Sequence, residues 1–307
     1  MQRRDFLKIS PVLAGQAFPA SAAPVAEALL IGGPVFLKSD DPAELAREHR
    51  RLGYSAAYCP PVRIHEKERL RAIEAAYAKE RVVIAEVGAW KNLLDIDPAK
   101  RKENFDYVVE RMAIADEIGA RCCVDIAGSY SEKSWYGPHP KNLSKEGFDA
   151  TVENCRRILD QVKPKRSFFT VEVMGWIHPD SPDSYLRLIK AVDRKGFAVH
   201  LDVCNAINSP SKFYNSGALI DEWFRKLGPH IRSCHAKDLE WIVELNLHFL
   251  EVIPGRGQVD YHSYLRGLRS LQTPAPLMLE HLKTADEYRE GFVYIKKIAG
   301  ELNYPLA

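Results

Sequence analysis

At 307 residues, with 46% hydrophobic and 27% charged residues and a formal net charge of +2, the chain has the composition of an ordinary soluble globular protein with a large core. No apolar run approaches the roughly 18–20 residues of a membrane span. No basic cluster is interleaved with aromatic residues. Stable membrane insertion and a nucleic-acid partner are therefore not expected.

The chain begins Met1-Gln2-Arg3-Arg4-Asp5-Phe6-Leu7-Lys8, continues through a mildly apolar stretch from Ile9 to Ala20, and reaches the small-x-small sequence Ala20-Ser21-Ala22. These three parts, in this order, resemble a twin-arginine export signal with its cleavage site. The expected division is a signal over residues 1–22 and one domain over residues 23–307, in a periplasmic or other extracytoplasmic location. Removing the signal takes away three basic residues and one acidic residue, so the mature chain carries no formal net charge. The six cysteines (Cys59, Cys122, Cys123, Cys155, Cys204 and Cys234) form no C-x-x-C pair. Most fall in apolar runs, where a free thiol packs as a small hydrophobe, although an oxidising compartment permits a disulfide.

Beyond the signal, short apolar runs alternate with longer amphipathic segments. Strands are predicted over residues 28–37, 54–59, 82–87, 122–127, 167–174, 197–204, 231–237 and 277–282. Helices are predicted over residues 41–52, 66–79, 98–118, 144–162, 181–193 and 216–227, near 261–271, and over 286–299. Asp40 or Asp41 is placed to cap the first helix, Ser181 or Asp183 the fifth, and Pro98 suits a first helical turn. The loop over residues 128–142 is long and carries Trp135 and Tyr136, which suits a lid or a substrate wall. Eight strands alternating with helices predict an α/β fold closed into a single (β/α)8 barrel. The strands lack polar alternation, as expected when helices cover one face and the barrel core the other. No G-x-G-x-x-G follows an early strand, so an open dinucleotide-binding sheet has little support.

Four strands end on unusual residues: T-V-E-V-M at Glu172, V-H-L-D-V at Asp202, C-H-A-K-D at His235, and L-M-L-E-H at Glu280. Barrel active sites lie at the C-terminal ends of strands. Strands five to eight are neighbours in a closed barrel, so these side chains can meet although they lie 30, 33 and 45 positions apart. Such groups buried alone would repel or be desolvated at a cost, which a divalent ion resolves. Three carboxylates and one imidazole favour Mn²⁺ or Mg²⁺, with Co²⁺ or Zn²⁺ also compatible. Further substrate-contact candidates are Glu86 at the end of strand three, Trp176 after strand five, Asn205 after strand six, Lys237 on the face of His235, and Arg256 in a Gly255-Arg256-Gly257 turn. His200, one layer below Asp202, reads as a supporting residue.

The motifs V-E-V-M, H-L-D-V-C-N, C-H-A-K-D, E-V-I-P-G-R-G-Q-V-D-Y and L-M-L-E-H-L resemble the sugar phosphate isomerase/epimerase, or xylose isomerase-like, TIM barrel family, above all its ketose 3-epimerases. The resemblance covers most of the mature chain. It implies one divalent metal ion on Glu172, Asp202, His235 and Glu280, with Glu172 and Glu280 also acting as acid and base. The implied reaction is proton abstraction beside a ketose or keto-sugar carbonyl through a metal-stabilised enediolate, giving an isomerase or epimerase. Ketose 3-epimerases carry a substrate-binding His where this chain has Asn205 and an Arg where it has Trp241. The metal platform therefore transfers more firmly than the substrate. A carbon–oxygen lyase or dehydratase on an oxidised sugar or glycoside is the alternative, ahead of an abasic-site endonuclease or a non-catalytic sugar-binding barrel. The expected partner is a small carbohydrate, and a homo-oligomer is compatible with the sequence.

Overall fold

The computed structural model describes residues 27–307. The reading of residues 1–22 as an export signal lies outside them. Eight parallel strands close into a barrel: β1 (Ile31–Gly32), β2 (Ala56–Tyr58), β3 (Val83–Gly88), β4 (Cys122–Asp125), β5 (Phe169–Glu172), β6 (Phe197–Asp202), β7 (Ile231–Ala236) and, after a two-stranded excursion, β10 (Leu277–Leu279), which pairs with both β7 and β1. The excursion is an antiparallel hairpin of β8 (Asp238–Trp241) and β9 (Phe249–Val252). The predicted eight-stranded barrel is thus present. The hairpin is absent from the predicted elements: its seven-residue connection lacks the Asn-Gly or Asp-Gly signal of a tight turn.

Strand limits are shorter than the apolar runs. The first run, 28–37, pairs only at Ile31–Gly32 and through a bridge at Leu29, because Pro34 offers no N–H to a ladder. The helices lie close to expectation: α1 (Pro42–Arg51), α2 (Lys67–Lys79), α3 (Pro98–Ile118), α4 (Lys145–Val162), α5 (Pro182–Val192), the short α6 (Val203–Ala206) and α7 (Pro210–Tyr214), then α8 (Ser216–Leu227), α9 (Tyr261–Arg269) and α10 (Ala285–Glu301). Asp41 rather than Asp40 caps α1, accepting from the Ala43 N–H at 2.8 Å. Ser181 rather than Asp183 caps α5 in a reciprocal arrangement with Ser184. Side chains between strands and helices form one continuous apolar core, including Ile73, Met112, Tyr185, Trp223 and Ile295. The buried Cys123, Cys155, Cys204 and Cys234 pack there, the buried Cys122 thiol lies against the Ala85 carbonyl, and all six cysteines are free thiols.

The barrel interior is less apolar than its shell. Ala56, Ala85 and Met278 form a separate small cluster inside it. Above them, towards the C-terminal mouth, Glu86, Thr170, His200 and Ser233 are all buried. This polar layer supports the site. No helix among the described residues is long and apolar enough to cross a membrane.

Candidate metal centre and cleft

Glu172 and Asp202 are the last residues of β5 and β6, His235 is next to last in β7, and Glu280 follows β10 directly. These strands are consecutive around the barrel wall, and Asp202 pairs in register with His235. One ligand atom from each of the four residues lies within 4.8 Å of all the others. His235 Nδ1 stands 3.1 Å from Glu280 Oε2, 3.5 Å from Glu172 Oε1 and 3.6 Å from Asp202 Oδ2.

Hydrogen bonds from neighbouring residues orient three of these four groups. Asp202 caps α6 with Oδ1, which accepts the Asn205 N–H at 3.1 Å, so Oδ2 faces the quartet. Asn205 Nδ2 donates to Glu172 Oε1 at 2.7 Å. His235 Nε2 turns away, towards Glu86. His235 Nδ1, Asp202 Oδ2 and Glu280 Oε2 are buried and make no hydrogen bond of acceptable geometry. Buried polar atoms are rarely left this way. Together with Glu172 Oε1 these three atoms make three oxygens and one nitrogen, the donor set of a hard divalent cation, and the residues fit such a group.

Lys237 is the counter-charge. Its Nζ lies 2.8 Å from Asp202 Oδ2, 3.0 Å from Glu251 Oε1 and 3.5 Å from Glu280 Oε2, and donates to Asn205 Oδ1 at 3.1 Å. Burial would raise the Asp202 carboxyl, but Lys237 and His235 outweigh it and hold the group well below its usual range. Burial likewise opposes ionisation of Glu280, and His235 with Lys237 brings it down to about 2. Glu172 moves the other way: burial raises it, and His235 offsets this only in part. Burial disfavours the charged form of His235, yet Glu280, Glu86 and Glu172 push it well above the ordinary imidazole value.

Over the quartet opens a cleft of about 430 Å³ walled by Trp90, Trp135, Tyr136, Met174 and Trp176, with Glu172, Asn205, Lys237, Glu251, Glu280 and His281 at its floor and side. Trp176 Nε1 donates to the Tyr136 carbonyl at 2.7 Å, which ties the long loop to the wall after β5. Trp90 and His281 have left-handed backbones, at φ 47° and 58°. Strain of this kind collects at functional sites.

A profile of the xylose isomerase-like TIM barrel family matches residues 46–298. The chain belongs to this family. No curated protein sequence matches it. Solved structures share the fold: 3-keto-D-glucoside 4-epimerase from E. coli (14% identity, TM-score 0.61, 88% of this chain and 99% of that one) and D-psicose 3-epimerase from Clostridium cellulolyticum (14%, 0.64, 90% and 99%). So does endonuclease IV from Thermus thermophilus (15%, 0.63, 88% and 98%).

In this xylose isomerase-like barrel, the predicted quartet comes together, and Trp176, Asn205 and Lys237 line the cleft as expected. Two other candidates do not. Glu86, expected to contact substrate, is 1% exposed and lies beneath the site. Its carboxylate meets His200 Nε2 at 2.9 Å, His235 Nε2 at 3.2 Å and the Ser233 hydroxyl. Arg256, considered for an anion, is solvent-exposed, pairs with Glu290 at 2.6 Å, and borders a side groove outside the main cleft.

The surrounding glycines serve Asp238 instead. Its carboxylate accepts the backbone N–H groups of Leu239, Gly255, Gly257 and Val259, and a Cβ at Gly257 would sit 2.3 Å from Asp238 Oδ1. Trp241, at the family arginine position, packs on Phe213, Tyr214 and Phe249 away from the cleft. Trp90 and His281 in the cleft were missed. Their left-handed backbones bend them over the site, and nothing in a single sequence announces that.

Proposed function

We propose that this protein is a divalent-metal-dependent isomerase or epimerase of a sugar or keto-sugar, with Mn²⁺ or Mg²⁺ held by Glu172, Asp202, His235 and Glu280. The observation that carries this reading is the convergence of one ligand atom from each of Glu172, Asp202, His235 and Glu280, all within 4.8 Å of one another, beneath an aromatic cleft. When bound, the cation supplies polarisation of a substrate carbonyl and its neighbouring hydroxyl, which acidifies the C–H group between them.

The chain's own residues do the rest. Glu172 and Glu280 enter from opposite flanks of the quartet, because β6 and β7 separate β5 from β10. One carboxylate, ionised, removes the proton and keeps it, and the other, protonated, delivers its own proton to the opposite face with inverted configuration. Positioned acid–base groups each contribute about 10²–10⁴-fold. Glu172, raised by burial, is the better placed of the two to hold a proton between steps. Asn205 and Lys237 donate to substrate oxygens at the floor, and Trp90 and Trp176 supply faces for the apolar side of a pyranose ring.

A second reading shares the first step. Loss of a β-leaving group in place of reprotonation would make the protein a carbon–oxygen lyase, and the breadth of the tryptophan-walled cleft supports room for such a group. The twin-arginine-like start supports action after export, on an unphosphorylated substrate. The test is incubation of the Mn²⁺-loaded protein with ketoses and 3-keto-glycosides in deuterated water. Deuterium at carbon with otherwise unchanged composition, lost in Glu172→Gln, is expected. Loss of water or an aglycone selects the lyase, and absence of deuterium from every carbohydrate refutes both readings.

A further inference from the structure

Glu86 projects from β3, on the opposite wall of the barrel from β6 and β7. Its side chain crosses the interior to reach His200, Ser233 and His235. Ala85 and Val87 beside it are apolar and fully buried. Burying a carboxylate here costs several kcal/mol before compensation. Its hydrogen bonds are asymmetric: Oε1 accepts from both His200 Nε2 and Ser233 Oγ, while Oε2 faces His235 Nε2 alone. The His235 ring is held on other sides as well. The His200 ring packs against it edge-on with centroids 4.2 Å apart, and Tyr264 donates to the His235 carbonyl at 2.8 Å.

We infer that Glu86 is the positioning residue of the metal centre: its carboxylate keeps the proton of His235 on Nε2 and fixes the ring plane, so that Nδ1 presents its lone pair to the quartet. This rests on the reading that the quartet holds a divalent cation. An ionised carboxylate only accepts, so Nε2 facing it must donate. The three carboxylates around Nδ1 would otherwise draw that proton to their own side, where it would block coordination. Partners of this kind set the tautomer of metal-binding histidines and change affinity by about 10–100-fold when removed.

Glu86→Gln reverses the arrangement at nearly constant volume. The amide oxygen is retained where two donors converge, at Oε1, and the NH₂ group then faces His235 Nε2. His235 must accept there and carry its proton on Nδ1.

The test is Mn²⁺ and Co²⁺ titration calorimetry of the full chain, with NMR of the metal-loaded, ¹⁵N-histidine-labelled protein. Native protein is expected to coordinate through Nδ1 and to show one slowly exchanging Nε2–H proton, hyperfine-shifted in the Co²⁺ form. Glu86→Gln is expected to bind about 10–100-fold more weakly and to lose that resonance. Ser233→Ala leaves the Glu86–His235 bond intact and should keep both. Weaker binding by Glu86→Gln with the resonance unchanged would mean that Glu86 acts by charge alone, which overturns the inference. Coordination of His235 through Nε2 in the native protein overturns it without any variant, should Glu86→Gln fail to fold. Native protein that binds neither metal refutes the underlying metal reading instead.

Discussion

Replacing Lys237 by Met tests the electrostatic account of the site. The ammonium is 2% exposed and faces Asp202, itself fully buried, at 2.8 Å. Glu280 and Glu251 lie at 3.5 Å and 3.0 Å. Without the metal, the variant leaves Asp202 and Glu280 without their ammonium partner. Removing one member of a buried pair costs about 3–5 kcal/mol. The Glu251 contact adds little, because that carboxylate is 39% exposed and screened. At about 2–4 °C per kcal/mol for a domain approaching this size, Tm in EDTA should fall by about 6–20 °C. A divalent cation replaces the missing charge and no longer meets a neighbouring ammonium. Saturating Mn²⁺ should therefore raise the variant's Tm by more than it raises that of the native protein. Thermal unfolding followed by circular dichroism, with EDTA and with a Mn²⁺ series, measures both shifts. An unchanged Tm in EDTA, or a Mn²⁺ increment no larger than the native one, would refute the reasoning.

Three further outcomes are expected. Trp176→Ala removes an aromatic face and the bond to the Tyr136 carbonyl, and should raise KM for the accepted carbohydrate about threefold to tenfold while metal affinity measured by calorimetry stays unchanged. Gly257→Ala forces a Cβ to within 2.3 Å of Asp238 Oδ1 and 2.4 Å of the Leu239 carbonyl, and should cost about 1–3 kcal/mol in denaturant unfolding. His49 is buried between Tyr54 and Tyr77, and burial lowers its pKa although its bond to the Leu45 carbonyl opposes this. The unfolded chain then takes up a proton that the folded chain resists, so stability is lost as pH falls below about 6.5, by at most about 1.4 kcal/mol per pH unit. Urea unfolding at pH 7.5 and 5.5 should show a smaller drop for His49→Phe than for the native protein.

The barrel was legible because each βα unit leaves a local mark. Apolar runs without alternation read as strands covered on both faces, and Asp41, Asp97, Ser144, Ser181 and Thr284 each accept a backbone N–H at the start of the helix they cap. What escaped was non-local. The β8–β9 hairpin is held partly by Phe249 stacking on Phe213 at 4.9 Å, between residues 36 positions apart. The role of the Gly255-Arg256-Gly257 turn depends on Asp238, which precedes it by 17 residues. A turn rich in glycine and arginine looks like an anion cradle until its backbone donors are seen to be spent on a carboxylate of the same chain.

The metal candidates were legible for a different reason, and Glu86 was misread for the same one. Side chains on a strand alternate faces, so residues two apart share a face one layer apart. His200 and Asp202 are such a pair on β6, and Ser233 and His235 on β7. In each pair the later residue reaches the mouth and the earlier one lies beneath it. β3 was expected to stop at Val87, which placed Glu86 at the rim; it runs to Gly88, so Glu86 sits two residues short of the end. That depth puts it level with His200 and Ser233, where its carboxylate bonds to both. A one-residue error in a strand end thus converts a supporting carboxylate into an apparent substrate contact. The residue that best reveals the lower layer is His200: a buried imidazole two positions before a candidate ligand carboxylate requires a hydrogen-bond partner, and Glu86 across the barrel is the group that supplies it.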